Sequence, residues 1–206
     1  MRKTFSNSYI FIYSAALVAV VAVILTTVAV SLKPMQTRNQ QAEKKQMILK
    51  TIGVDATRKN AEALYAENIT EETNEKGLPY YRYNKNTDIF VIPLSGTGLW
   101  GPIWGYLSIN GAQSSMVVGA VFDHKGETPG LGGEIASDKF AKSFIGKSMD
   151  VRPIELKKNA KKESPFNKYE VDAISGGTMT SNGVTAMLKK AFEDYSDIVE
   201  WVAIKN

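Results

Sequence analysis

From Tyr9 the chain runs through residues 9–32 with no charged side chain, mostly in Ala, Val, Ile and Leu. At the α-helical rise this stretch is about 36 Å long, and crossing a bilayer core takes about 20 residues. Tyr9 and Tyr13 stand near one end, where interfacial aromatic residues belong. A cleaved signal peptide would have an apolar region of only about 7–15 residues and would close on a small-x-small site. Here Lys33-Pro34 closes the run without such a site. The pattern predicts an uncleaved transmembrane helix over 9–32, preceded by a short N-terminus, 1–8.

The pattern then changes twice. Residues 35–52 are polar and helix-favouring, with Met47, Ile48 and Leu49 near their end, and Gly53 can stop them. Asp55 can cap a second helix over 56–67, whose Ala61, Leu64 and Tyr65 share a face. Residues 33–68 therefore read as a helical stalk with N-terminal helices, and 68–78 as a polar loop. Beyond them come short aromatic and β-branched runs at 80–83, 89–92, 104–109 and 116–122, bounded by Asn84-Lys85-Asn86, Ser95-Gly96 and Asn110-Gly111. These are antiparallel strands by pattern. A helix is expected over 135–144, a short strand over 169–171, a helix over 184–195 and a final strand near 198–204. The fold class is α+β: a transmembrane helix, then one domain, 69–206, with a twisted antiparallel sheet flanked by helices.

Composition narrows the chemistry. The 206 residues include no cysteine, which removes disulfides, thiolate metal sites and cysteine nucleophiles. The single histidine, His124, excludes a multi-histidine metal site. The net charge of +4 is uneven: residues 1–50 hold seven basic side chains and one acidic one, and the rest of the chain is slightly acidic. Basic residues beside an apolar run point to lipid headgroups, and the main domain lacks the charge of a nucleic-acid binder. Positive charge flanks both ends of the run, so the charge rule for orientation is nearly silent. The expected arrangement is a short N-terminus inside and the large domain outside.

Three segments carry candidate chemistry. Gly96-Thr97-Gly98-Leu99-Trp100-Gly101 matches the G-x-G-x-x-G spacing, but a strand follows where a dinucleotide site needs a helix. It reads instead as a Gly-rich turn in which Trp100 and Trp104 pack closely. The stretch from His124 to Gly133 holds four glycines and a proline, as a connecting turn or as a loop whose backbone approaches a planar or anionic ligand. The richest stretch is 172–184. Asp172, Ser175, Thr178, Thr180, Ser181 and Asn182 are interleaved with glycines up to the expected helix at Val184. Two readings stay open on the residues alone: a phosphate site, or a hydroxyl to be phosphorylated, at a helix N-terminus, and an ordinary loop with a Ser or Asn cap.

At these residues the chain resembles the FMN-binding domain family, in the form found as the C subunit of Na+-translocating NADH:quinone reductase. That family carries Asp-x-x-Ser/Thr-Gly-Ala-Thr, here Asp172-Ala173-Ile174-Ser175-Gly176-Gly177-Thr178, with Gly177 where Ala is usual. The stretch from Gly98 to Gly105 and the segment Glu127-Thr128-Pro129-Gly130-Leu131-Gly132 are similar to two further family motifs, in the same order. The G subunit of the Rnf electron-transport complex shares the first and third motifs but typically lacks Leu-Trp-Gly-Pro, which favours the C subunit of the quinone reductase. The resemblance implies FMN held covalently by a phosphoester to Thr178. Gly176, Gly177 and the N–H groups before Val184 would lie at the phosphate. Glu127, Thr128, Gly130 and Leu131 would lie along the flavin, and Ser175 and Thr180 would lie nearby. Asp172 and Ser175 would serve recognition by a flavin transferase that moves FMN from FAD with a metal's help. The implied role is an electron carrier with no catalytic residue or metal of its own. It would sit in a multi-subunit complex in a bacterial inner membrane, with its domain in the periplasm, between an iron–sulfur carrier and a flavin of a neighbouring subunit. A membrane-tethered binding or assembly domain without flavin, and a flavin shuttle outside any ion pump, are the alternatives.

Overall fold

The aromatic and β-branched runs pair into one antiparallel meander in the computed structural model, which describes residues 6–160 and 167–198. Its strands are β1 (Ile69–Thr73), β2 (Pro79–Tyr83), β3 (Ile89–Thr97), β4 (Pro102–Asn110) and β5 (Met116–His124), neighbours in chain order. Alternation along each strand sends side chains to two faces. Ile92, Leu94, Ile103, Leu107, Ile109 and Phe122 enter one core, closed by Phe140 of α3 (Asp138–Lys142) and by Val184, Met187 and Leu188 of α4 (Thr178–Asp194). Tyr81, Val91 and Tyr106 face the other way, onto Ile48 and Leu49 of α1 (Asn7–Thr51) and Tyr65 of α2 (Ala61–Asn68).

The chain divides into two compact units, Met1–Glu43 and Lys44–Asn206. α1 contains the apolar run, whose large side chains stand exposed from Tyr9 to Leu32, and it is long and apolar enough to cross a membrane. Its end is built against the sheet. Gly53 takes a left-handed φ of +76°, and the N–H groups of Gly53 and Val54 donate to the carbonyls of Lys50 and Leu49, a Schellman cap. The buried Thr51 carbonyl accepts from Ser108 Oγ of β4 at 2.7 Å.

Several elements differ from the pattern's expectation. The second helix starts at Ala61, not after Asp55; Asn60 holds Thr57 in a preceding turn through its Oδ1. The polar stretch after residue 68 is in fact β1, paired with β2 along its whole length. The helix expected over 135–144 is broken into a 3₁₀ turn, Gly132–Ala136, and the short α3, because the Ser137 hydroxyl accepts from Phe140 N–H and starts a new helix there. The short strand is β7 (Glu170–Asp172). It pairs in parallel with β6 (Glu155–Lys157), outside the meander. The strand expected near 198–204 falls almost wholly outside the described residues. α4 begins at Thr178, six residues before Val184, with Gly183 inside it. A Cβ at Gly183 would lie 2.2 Å from the Thr97 carbonyl, and one at Gly96 would lie 3.0 Å from Met187 Cβ. These two glycines let α4 lie directly on the end of β3, which brings the start of the helix to the β3–β4 turn.

Candidate functional site

Three segments distant in sequence meet at that corner: the turn 98–101, the loop 124–133 after β5, and the start of α4. The turn is a tight hairpin, with Gly98 N–H donating to the Gly101 carbonyl at 2.8 Å, so the G-x-G-x-x-G spacing marks a strand reversal with no helix behind it. Within the loop, Thr128-Pro129-Gly130-Leu131 forms a turn closed by Leu131 N–H to the Thr128 carbonyl at 3.1 Å. Proline suits its second position and Gly130, at φ +75°, its third. His124 braces the loop from below, its Nδ1 accepting from Glu127 N–H at 3.1 Å.

The start of α4 is held from inside. Ser181 Oγ accepts from Ile174 N–H at 3.1 Å, which fixes the approach 173–177. Thr180 Oγ1 donates to Glu127 Oε2 at 2.5 Å. Gly177 caps the helix with no side-chain hydrogen bond, so among the described residues the first N–H groups, those of Thr178, Met179 and Thr180, have neither an intrahelical acceptor nor a side-chain cap. They are among the N–H groups before Val184 that the sequence singled out, and they form the free end of this helix. The Thr178 side chain is exposed, and among the described residues its hydroxyl makes no hydrogen bond.

A cleft of about 140 Å³ lies beside Thr178, lined by Leu99, Trp100, Glu127, Thr128, Leu131, Gly132 and residues 176–180. It brings together Thr178, Glu127, Thr128, Leu131, Gly176, Gly177 and Thr180 of the residues expected from the sequence. Gly130, Asp172 and Ser175 lie apart from it, on a neighbouring groove of about 370 Å³ with Glu134, Lys139 and Phe140. Asp172 Oδ1 accepts from Ala160 N–H at 2.8 Å. Glu127 is 4% exposed and lines the cleft with a carboxylate already engaged by protein donors. Burial pushes this carboxyl up. The hydrogen bonds from the Thr180 hydroxyl and from the Trp100 and Leu99 N–H groups outweigh that and hold it below the usual carboxylate range.

The rim is apolar and open. Trp100 is 69% exposed, Met179 58%, Leu99 53% and Leu131 43%. Trp100 is thus not packed in its turn, as the sequence suggested, but presented to solvent beside Thr178. Leu99, Trp100 and Met179 were not among the expected site residues. The readable signal was a Leu-Trp pair at a hairpin turn, where polar residues are the rule.

A model of the FMN-binding domain matches residues 98–193, which take in all three converging segments. The crystal structure of the C subunit of Na+-translocating NADH-quinone reductase from Parabacteroides distasonis is 33% identical, with a TM-score of 0.70; the match covers 85% of this chain and 98% of that one. The chain belongs to this C-subunit family. The corresponding subunit of Vibrio alginolyticus is 27% identical over 213 residues, 80% of this chain and 82% of the relative. That of Chlamydia caviae is 33% identical over 126 residues. The chain spans 39% of the length of the Chlamydia caviae relative and 47% of that from Chlamydia pneumoniae, less than half of each. A Shewanella oneidensis member at 19% identity, with a TM-score of 0.66, shares the fold.

Proposed function

We propose that the chain carries FMN on Thr178 through a phosphoester and works as an electron-relay subunit of a membrane-bound Na+-translocating NADH-quinone reductase. The carrying observation is Thr178 itself: an exposed, unengaged hydroxyl on the first residue of a 17-residue helix, beside an open apolar-rimmed cleft. The residues present suit the group. The uncapped N–H groups of the first turn and the helix dipole favour the single negative charge of a phosphodiester there. Gly176 keeps the approach narrow, since a Cβ on it would lie 2.6 Å from Leu131 Cδ2. Leu99, Trp100, Leu131 and Met179 offer apolar surface to a planar ring.

The cleft is smaller than the roughly 300–1,000 Å³ that encloses an ordinary small-molecule ligand. Shape alone would hold a flavin weakly and leave much of it open. An ester through Thr178 supplies retention that enclosure does not, and openness suits a carrier that must meet its partners. Bound FMN supplies the redox chemistry; the chain's residues anchor, orient and set charge. In forming the ester Thr178 Oγ gives up its proton and takes the flavin phosphate from FAD, with AMP leaving, a transfer assigned to a separate flavin transferase that reads Asp172 and Ser175. The iron–sulfur donor and the flavin acceptor belong to neighbouring subunits. Residues 9–32 span the bacterial inner membrane, 33–68 lead away from it, and 69–206 form the flavin domain in the periplasm.

The test is the intact mass of the full chain purified from its native membrane, beside Thr178→Ala. A gain equal to FMN less one water, with flavin fluorescence that survives denaturation, is expected for the native chain and neither for the variant. A native chain with no added mass and no flavin would leave the tethered binding domain as the better reading.

A further inference from the structure

We propose that Glu127 is a positioning residue: its buried carboxylate latches the Leu99-Trp100 turn to the first turn of α4 and keeps a fixed negative charge behind the cleft beside Thr178. The resemblance implies Glu127 along the flavin, but the structure engages both of its oxygens with protein. Oε2 accepts from Thr180 Oγ1 at 2.5 Å and Oε1 from Trp100 N–H at 2.8 Å. The packing is closed on both sides. A Cβ at Gly98 would lie 2.6 Å from Oε1, and one at Gly132 would lie 2.5 Å from Oε2. Both contacts come from donors, as an acceptor-only carboxylate requires. Among the described residues no cation pairs with Glu127 within 4 Å.

A buried carboxylate without a cation is costly, and a hydrophobic or amide side chain of this size would fill the space more cheaply. What the carboxylate provides is a bridge between segments 27 and 53 residues away from it in the chain. Through Trp100 N–H it fixes the rim; through Thr180 it fixes the helix turn that carries Thr178. A fixed anion also disfavours adding an electron to whatever occupies the cleft. At an effective dielectric of about 20, a unit charge about 10 Å away alters a one-electron equilibrium about tenfold, equivalent to about 59 mV.

The charge and the latch are tested separately, the first resting on the flavin reading and the second independent of it. Glu127→Gln keeps the shape, can still accept from Trp100 and can donate to Thr180, so it removes the charge and little else. In the flavin-loaded full chain it should raise the midpoint potential by about 59 mV, a tenfold gain in one-electron reduction. Thr180→Val breaks the latch while the charge stays, and Thr180→Ser restores the hydroxyl. Amide hydrogen exchange in the flavin-free chain should accelerate at Trp100 and Ser181, whose N–H groups donate to Glu127 Oε1 and to the Gly177 carbonyl, at least tenfold in Thr180→Val and return toward native rates in Thr180→Ser. An unchanged potential in Glu127→Gln overturns the charge role. Native exchange rates in Thr180→Val, or accelerated rates that Thr180→Ser fails to restore, overturn the latch. A chain without flavin would fail the proposed function, and the exchange comparison would still decide the latch.

Discussion

Gly176 and Gly177 are glycine for different reasons, and the difference is measurable. Gly176 sits at φ +72°, and a Cβ on it would meet Leu131 Cδ2 at 2.6 Å. Alanine there has to adopt a left-handed conformation costing about 1–2 kcal/mol and displace the side chain that walls the cleft. Gly177 has an ordinary φ of −110°. A Cβ on it would lie 3.0 Å from Ile174 Cγ2 and 3.3 Å from Gly132 Cα, tight contacts that small movements can relieve. Alanine would also stiffen the unfolded chain, a gain of about 0.4–1 kcal/mol. Gly177→Ala, which restores the residue usual in this family, should therefore change stability by less than about 1 kcal/mol and leave flavin attachment intact. Gly176→Ala should cost about 2 kcal/mol or more and lower attachment, because Leu131 and the approach to Thr178 must move. Thermal unfolding and the flavin-to-protein ratio of the two variants check this. Equal losses in both would mean that the left-handed turn is not what Gly176 provides.

Among elements, the end of α1 is the most exacting fit. Ser108 of β4 and Gly119 of β5 are register partners, and the last carbonyl of the helix rests on the pair. A Cβ at Gly119 would lie 1.9 Å from Thr51 O and 2.8 Å from Thr51 C, both backbone atoms that no rotamer change can clear. Gly119→Ala should lose about 3 kcal/mol, the upper range for overpacking. Ser108→Ala should lose about 1–2 kcal/mol for a buried carbonyl left without its donor. Urea unfolding of the full chain in detergent measures both, and a Gly119→Ala variant as stable as the native chain would show that the helix end is not seated as described. No sequence pattern announces this contact, because alternation gives a strand's faces but not what crosses them. The same limit explains which elements were legible. Strands β2 to β5 follow from aromatic and β-branched alternation between turns. β1, Ile-Thr-Glu-Glu-Thr, is an edge strand with mostly exposed side chains, so its polar composition looked like a loop. The early start of α4 was hidden by Gly183, which looks like a boundary and is instead a packing requirement against Thr97. In the site, the Thr178 motif was readable because its residues are contiguous. The cleft was not, since Trp100, Glu127 and Thr180 meet only through long-range hydrogen bonds.

At the scale of the whole molecule, sidedness decides what the proposed ester would be for. A carrier domain facing the periplasm would lose a dissociable flavin to a compartment that does not replace it, whereas one facing the cytoplasm could be reloaded. The apolar run 9–32 separates an N-terminus with Arg2 and Lys3 from a domain attached through Lys33, Arg38, Lys44 and Lys45, so charge bias alone does not orient the helix. The chain has no cysteine, which makes orientation directly testable by single introduced thiols on a silent background. Ser6 precedes α1 and is exposed; Lys125 is exposed in the loop after β5. In cells with a permeabilised outer membrane, a membrane-impermeant maleimide should label Lys125→Cys within minutes and leave Ser6→Cys unlabelled until the inner membrane is disrupted. The reverse pattern would put the flavin domain in the cytoplasm. Thr178 could then still carry the ester, but retention against loss outside the cell would no longer account for it, and the open, partly enclosed cleft would have to be explained by partner access alone.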